Sequence, residues 1–419
     1  MTNVLLIIWL ATIGADRIDF FAGRGPFILT PFLVLSPAIP LVALFRMVGP
    51  SRAPLKVPGT ARRFMLLACI LIVLVLVSVL CGVDRGLSFK RSVLLMVELC
   101  AVSLAVLLLY NAPDPRPVLV MGSLLGIALS CLFSAVQLGI WLSATSSGHS
   151  RHLFGIVDTT VLTIGPFAPR LAGASIDPSR GGMLIAAYIF IVLSFGRKSW
   201  TNTGFVCLGS LLVLLTVSRS AIVAFVLVGI ALLFSNRELG PRRIAAIAIP
   251  SCLLITALVY FANRSGISQY VSVGQLVAER LSVSEGYSGG MHFAVIQRGL
   301  DISDRSVKNL LFGIGFGNAY TVLGDFYRGS KYGNFHSAYI TFLAESGVGA
   351  LVVFIFLCAF PLFKRRRYVP LMLGMVWFNL FYQLTLEPMF WFSLALSWLN
   401  IGFSGAGGKI DSLVYERGP

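Results

Sequence analysis

The chain has 419 residues, 57% hydrophobic and 12% charged, with a mean hydropathy of +0.87 and a formal net charge of +16. A soluble domain carries about a quarter of its residues as charges, so lipid is the main solvent here and a soluble globular fold is excluded. The positive charge does not by itself point to nucleic acid, because cytoplasmic loops of membrane proteins collect Lys and Arg.

Apolar runs predict helices, in chain order, over 2–20, 27–47, 64–83, 92–110, 117–143, 181–196, 202–217, 220–235, 243–262, 337–363, 368–386 and 388–404. The first, "MTNVLLIIWLATIGADR", has no basic n-region, and cleavage after Ala15 would leave Ile13 where a small residue is needed. It reads as a retained helix rather than a signal peptide. The run from Thr201 to Asn236 would reach ~54 Å as one helix, against a hydrocarbon core of about 30 Å. It therefore turns back at "TVSRSA", around Arg219. Cys69, Cys81, Cys100, Cys131, Cys207, Cys252 and Cys358 all lie in apolar runs without a CxxC, and read as packing residues, not a metal site. The fold class predicted is an all-α polytopic membrane protein of about twelve transmembrane helices.

Loop charge sets the orientation. With the N-terminus inside, the inner loops hold Arg46, Arg52, Lys56, Arg62 and Arg63, then Arg116, then Arg197 and Lys198, then Arg237, Arg242 and Arg243, and last Lys364 to Arg367. Only Asp114 and Glu238 oppose them, as the positive-inside rule requires. This explains much of the net charge without nucleic acid. The organisation expected is 1–262, nine helices with an outer segment at about 144–180; 263–336, an outer loop domain; and 337–419, three helices and a short cytoplasmic tail. In the loop, "SQYVSVGQLVAERL" and "MHFAVIQRGLDIS" are expected as amphipathic helices along the membrane surface. "LLFGIGFGNAY" is expected as a Gly-rich turn; no strand precedes it, so a nucleotide loop is rejected. His149, His152, His292 and His336 all fall on the outer side or its boundary, and His336 is expected to cap the outer end of the tenth helix.

The outer side gathers Arg170 in "APRLAGASIDPSRGG", Arg219 in "TVSRSA", Arg298 in "VIQRGLDI", and His336. Arginine is always charged and forks onto phosphate oxygens, so this set suits a lipid phosphate or diphosphate. Plainer readings stand beside it. Arg219 is also placed to snorkel to headgroups, Arg170 and Arg298 to be solvated loop residues, and His336 to be a headgroup contact or cap. On a regular helix Glu345 points away from His336, as a packing or inter-helix hydrogen-bonding group. Gly347, eleven residues on, shares the His336 face and reads as small-residue helix packing.

"HSAYITFLAESGVGAL", with His336, ten intervening residues and Gly347, resembles the His-x10-Gly signature of the bacterial O-antigen ligase and polymerase superfamily. "LLTVSRSAIVAFVLVGIALLF" resembles its arginine-led helix start, with Arg219 matching. "RLAGASIDPSRGGMLIA" resembles its "R..G.f.dPN..a" segment, with Arg170 matching and Ser179 standing for the Asn. "IQRGLDISDRSVKNLLFGIGFGNAY" resembles its long-loop segment, with Arg298 matching. The resemblance covers about 160–350. It implies a GT-C-like bundle in the bacterial inner membrane, active on the periplasmic face. The implied reaction moves a glycan from undecaprenyl diphosphate to a sugar hydroxyl without metal, cofactor or nucleotide sugar. His336 would be the base, Arg170, Arg219 and Arg298 the diphosphate ligands, and Gly347 a structural residue near the site. Implied partners are the lipid-linked donor, a glycan or lipid A–core acceptor, membrane lipid, and a chain-length regulator and flippase of the same pathway. The "RLAG..IDP" segment favours a repeat-unit polymerase over a ligase. A lipid-linked-oligosaccharide flippase is the rival from another class, but would place ionisable residues along a mid-membrane path. Here Glu98 and Glu345 are the chief internal ones.

Overall fold

A computed structural model of the chain describes residues 2–21, 28–48, 55–143, 152–154, 156–164, 168–197, 199–235, 288–324, 333–364 and 366–401. The expected helix at 243–262, the "SQYVSVGQLVAERL" helix and His149 lie outside them. The helices are α1 (Thr2–Thr12), α2 (Pro31–Leu35), α3 (Ala38–Val48), α4 (Gly59–Cys81), α5 (Arg85–Tyr110), α6 (Arg116–Ser143) and α7 (Pro178–Phe195). They continue as α8 (Trp200–Leu215), α9 (Arg219–Ser235), α10 (Ser288–Asp304), α11 (Val307–Phe312), α12 (Ala338–Lys364), α13 (Val369–Phe381) and α14 (Pro388–Leu399).

Each expected run inside the described residues carries helix, and the run from Thr201 turns back between α8 and α9 as expected; as a first correction, the run at 2–20 is helical only to Thr12, 27–47 is split into α2 and α3, and 368–386 is helical only to Phe381. By length and composition, six described segments can cross a membrane: Pro31–Val48, α4, α5, α6, α7 and α12. The other apolar helices, α1, α8, α9, α13 and α14, are shorter. The result is a mostly helical, polytopic membrane protein, with fewer full-length spans among the described residues than the apolar runs predict.

Helix α4 shows what solvates the bundle. Ala61, Phe64, Ala68, Leu71, Val75 and Ser78, at steps of three and four, form its buried stripe. Leu66, Val73 and Leu80, two turns apart, stand 61%, 57% and 69% exposed. A water-facing stripe would be polar; this one is large and apolar, as a lipid-facing stripe must be. Inside, Phe354 of α12 packs on Phe342 (ring centroids 4.6 Å apart), Phe390 (5.8 Å) and Trp391 (6.2 Å). The Trp398 indole donates to Leu357 O at 3.0 Å.

One local feature adds to the helical frame. Between α6 and α7 stand two small antiparallel hairpins: β1 (His152–Leu153) with β2 (Val157–Asp158), and β3 (Leu162–Ile164) with β4 (Ala168–Arg170). The β-branched run of Ile156, Val157, Thr159, Thr160, Val161, Thr163 and Ile164 favours extended backbone. Arg17, 1% exposed, pins the hairpins to the end of α1. It donates from Nη1 to Asp158 O (2.9 Å) and Thr160 O (3.1 Å), and from Nε to Ser175 O (2.7 Å).

A second correction concerns α12. Gly347 has φ 85° and ψ 174°, so the helix breaks there. The carbonyls freed by the break are taken up by the Gly-rich turn after α11. Ile314 N donates to Ala344 O (2.9 Å) and Gly315 N to Glu345 O (3.0 Å). The Glu345 carboxylate, buried, accepts from Gly317 N (2.7 Å) and Ala319 N (2.8 Å). Glu345 is thus the inter-element hydrogen-bonding group expected. The helical-wheel relation between His336 and Gly347 fails, because His336 precedes the helix and the helix does not run regularly to Gly347. A Cβ on Gly347 would stand 2.1 Å from Leu311 O. Gly347→Ala is therefore expected to lose about 1–3 kcal/mol of stability to backbone strain, and more to the clash. A thermal unfolding midpoint in detergent well below the parent's is the expected reading; an equal midpoint would mean the kink is dispensable.

Candidate active site

Seven chain segments converge on one site: the end of α1, the start of α7, the α8–α9 turn, α10, the entry to α12, the end of α13 and the start of α14. The turn comes first. Thr216–Ser218 separates α8 from α9, with Val217 at φ 48°. Ser218 Oγ accepts from Ala221 N at 3.4 Å, which caps α9 and makes Arg219 its first residue. Arg170 docks on the same turn: its Nε donates to Thr216 O at 3.2 Å, and Leu171 N to Leu215 O at 3.1 Å. Gly181, at the start of α7, permits the approach of this strap; a Cβ there would stand 2.1 Å from Ala172 O.

The field of Arg219 reaches His292 on α10. The His292 ring lies against that of His336, with centroids 4.0 Å apart and planes at 56°. "MHFAVIQRGLDIS" is helical as expected, and packs Val295, Gly299 and Ile302 inward against the neighbourhood of α12. His336 does not cap α12 by its side chain. It sits two residues before the helix with φ 53°, its N–H donating to Asn334 Oδ1 at 2.9 Å. Ser337 O accepts from Thr341 N at 2.9 Å and so opens the helix. Ser337 Oγ donates to Asn379 O (3.3 Å) and Thr341 Oγ1 to Gln383 Oε1 (3.0 Å), tying this entry to the end of α13.

Tyr382, just past α13, stands with its ring 6.5 Å from that of His336 and is hydrogen-bonded to Asp177. Asp177 caps α7, accepting from Ser179 N (2.7 Å) and Arg180 N (3.1 Å). Behind it Arg180 pairs with Asp16 (2.8 Å) and with Glu387. Burial pushes the Glu387 carboxyl up to about 7 despite Arg180. Burial likewise raises that of Asp16.

Electrostatics decides the protonation of the histidine pair. Burial lowers His336 to about 4, with His292 adding to the effect and Asp177 opposing it. Burial, then the charge of Arg219, lowers His292. Both imidazoles are neutral at pH 7, so each offers a nitrogen lone pair, that of His292 within the field of Arg219.

The sequence-predicted residues are therefore divided. Arg219 and His336 are joined through His292, and Arg170 holds the turn that carries Arg219. Arg298 stands six residues beyond His292, ~9 Å along the helix, with its Nε 3.5 Å from Val322 O. Gly347 serves the kink, against Leu311 and Phe312, not the histidine. Sequence reasoning missed His292, Asp177, Arg180, Tyr382, Asp16 and Glu387. A signal existed for two of them: "DP" at 177 and "EP" at 387 are an acid followed by proline, which marks a helix start.

Residues 203–355 match the family model described as O-antigen ligase. The matched region holds Arg219, His292, Arg298, His336 and Gly347; Arg170, Asp177, Arg180 and Tyr382 lie outside it. Comparison with curated proteins gives no match.

Proposed function

We propose, with an O-antigen ligase-like region at 203–355 as the premise, that this membrane protein transfers a glycan from undecaprenyl diphosphate to a sugar hydroxyl. One observation carries the reading: a neutral imidazole, His336, held against His292, which in turn lies in the field of the Arg219 guanidinium. As the bond between sugar C1 and the diphosphate oxygen breaks, the electron pair leaves on that oxygen. Arg219, with Arg170 and Arg298, stabilises the growing charge in place of a metal. The acceptor oxygen bonds C1 and its proton passes to His336. The acceptor is a second lipid-linked repeat unit, which makes the enzyme a polymerase of O-antigen or exopolysaccharide. The ligase reading, with lipid A–core as acceptor, is kept because the matching family model is described as O-antigen ligase. Purified protein given lipid-linked repeat units, with and without lipid A–core, separates them. Long lipid-linked chains without core support polymerisation; product formed only on core supports ligation; no product on either acceptor overturns both.

The reaction belongs on the periplasmic face of the inner membrane, and this gives a topology prediction. The basic loops, and with them both ends, are cytoplasmic. Reporter fusions after Arg116 and Phe234 are expected to read inside, and fusions after Ser150 and Ser284 outside. An outside signal from a fusion in Lys364–Arg367 would overturn the orientation.

A further inference from the structure

We propose that His292 is a positioning residue of this transfer, its ring bracing the His336 imidazole as proton acceptor. The inference rests on the function proposed above and deepens it. Nothing in the His-x10-Gly pattern calls for a second histidine, and 43 residues separate the two in the chain. Their rings nonetheless meet at 4.0 Å between centroids, in a tilted contact with the planes at 56°. Two independent supports make the contact. His292 is fixed by α10, whose Val295 and Ile302 are buried at 0% and 1% exposure. His336 is fixed by a left-handed backbone and the Asn334 turn. A non-glycine residue held at positive φ costs energy that its surroundings must supply. Here the strain sets one side chain against another that can share a proton.

The consequence for the reaction follows from charge. When the acceptor O–H bond breaks and its proton passes to a His336 nitrogen, the pair gains one positive charge. It must reside on His336 and not be on His292 beforehand, or His336 cannot accept it. Arg219, from the start of α9, disfavours charge on His292. Asp177, from the start of α7, favours charge on His336, while His292 itself disfavours it. Tyr382, after α13, and Arg180, beyond Asp177, complete the charged and titratable surroundings named by the geometry. So His292 is kept uncharged at neutral pH and braces His336, whose lowering by burial Asp177 opposes from the other side.

The test uses the full-length protein in detergent or liposomes with lipid-linked repeat units, and compares His292→Ala, His292→Gln and His336→Ala. Ala removes the ring that braces His336; Gln also removes the ring but keeps a polar group of similar reach, and guards against a folding failure in Ala. Both are expected to fall about 10–100-fold in kcat, as when a group orienting an active one is removed, with donor KM within threefold of the parent. Both are also expected to move the acid limb of kcat/KM to higher pH, because the charge that His292 takes up in acid, which lowers His336, is gone. Parent kcat in either variant overturns the inference. So does a loss of kcat with the acid limb unmoved, which a purely structural role would give. If His336→Ala also keeps parent turnover, the function reading has failed. If His336→Ala is inactive while the His292 variants match the parent, only this inference has failed.

Discussion

His336→Ala is expected to insert, fold and bind the lipid-linked donor, yet lose of order 10²–10⁴-fold in turnover. The side chain stands outside α12, and its backbone turn is closed by Asn334, so removal of the imidazole leaves the helix start at Ser337 intact. The pH profile gives the second arm. An unperturbed histidine titrates near 6.5, and a base of that kind would gain activity steeply between pH 6 and 7. Burial and His292 lower His336 to about 4. The neutral, active form therefore dominates from pH 6 upward. The kcat/KM profile, which reports the free enzyme, is expected to be flat there and to fall only as the pH drops toward 4. A profile that rises toward acid would mean that the protonated ring holds the diphosphate. In that case His336→Ala would lose donor affinity along with turnover. Normal turnover in the alanine variant would leave His336 as a structural turn residue only.

What the sequence showed depended on how far apart the cooperating residues lie. Lipid-length apolar runs are local, and every such run inside the described residues carries helix, over part of its length at 2–20, 27–47 and 368–386. "TVSRSA" is local too, since a 36-residue apolar run has to break at its polar point. By contrast, His292 meets His336, Arg170 meets Thr216, and Arg180 joins Asp16 to Glu387 only after the helices pack. No periodicity reports those contacts. The Gly347 error has its own cause. A helical wheel assumes regular φ and ψ, but "SGVG" contains a glycine free to adopt φ 85° and so receive the 313–319 turn. The spacing from His336 to Gly347 looked like a shared face, whereas it joins a strained loop residue to a helix break. The β-hairpins were missed because lipid-length runs on either side dominated the reading of 144–180.

Arg219→Lys is expected to reach the membrane in normal amount and lose about 10²-fold in turnover, the scale of one donor removed from a developing oxyanion. The substitution keeps a cation that can snorkel to headgroups, so an anchoring role predicts full activity. It removes the planar fork that grips two phosphate oxygens at once. Position matters as much as charge here. Arg219 is the first residue of α9, where Ser218 caps the helix and Arg170 holds the preceding turn through Thr216 O. The helix N-terminus adds its own positive end to the guanidinium, and both would act on the proposed diphosphate. Arg219→Gln separates charge from geometry. It takes away the cation that lowers His292, so the acid limb of kcat/KM should shift in Gln but not in Lys. Turnover should fall in both. Full activity of the Lys variant would reduce Arg219 to an anchor. Loss of turnover in Lys with the Gln limb unmoved would keep its grip on the diphosphate but sever it from the histidine pair.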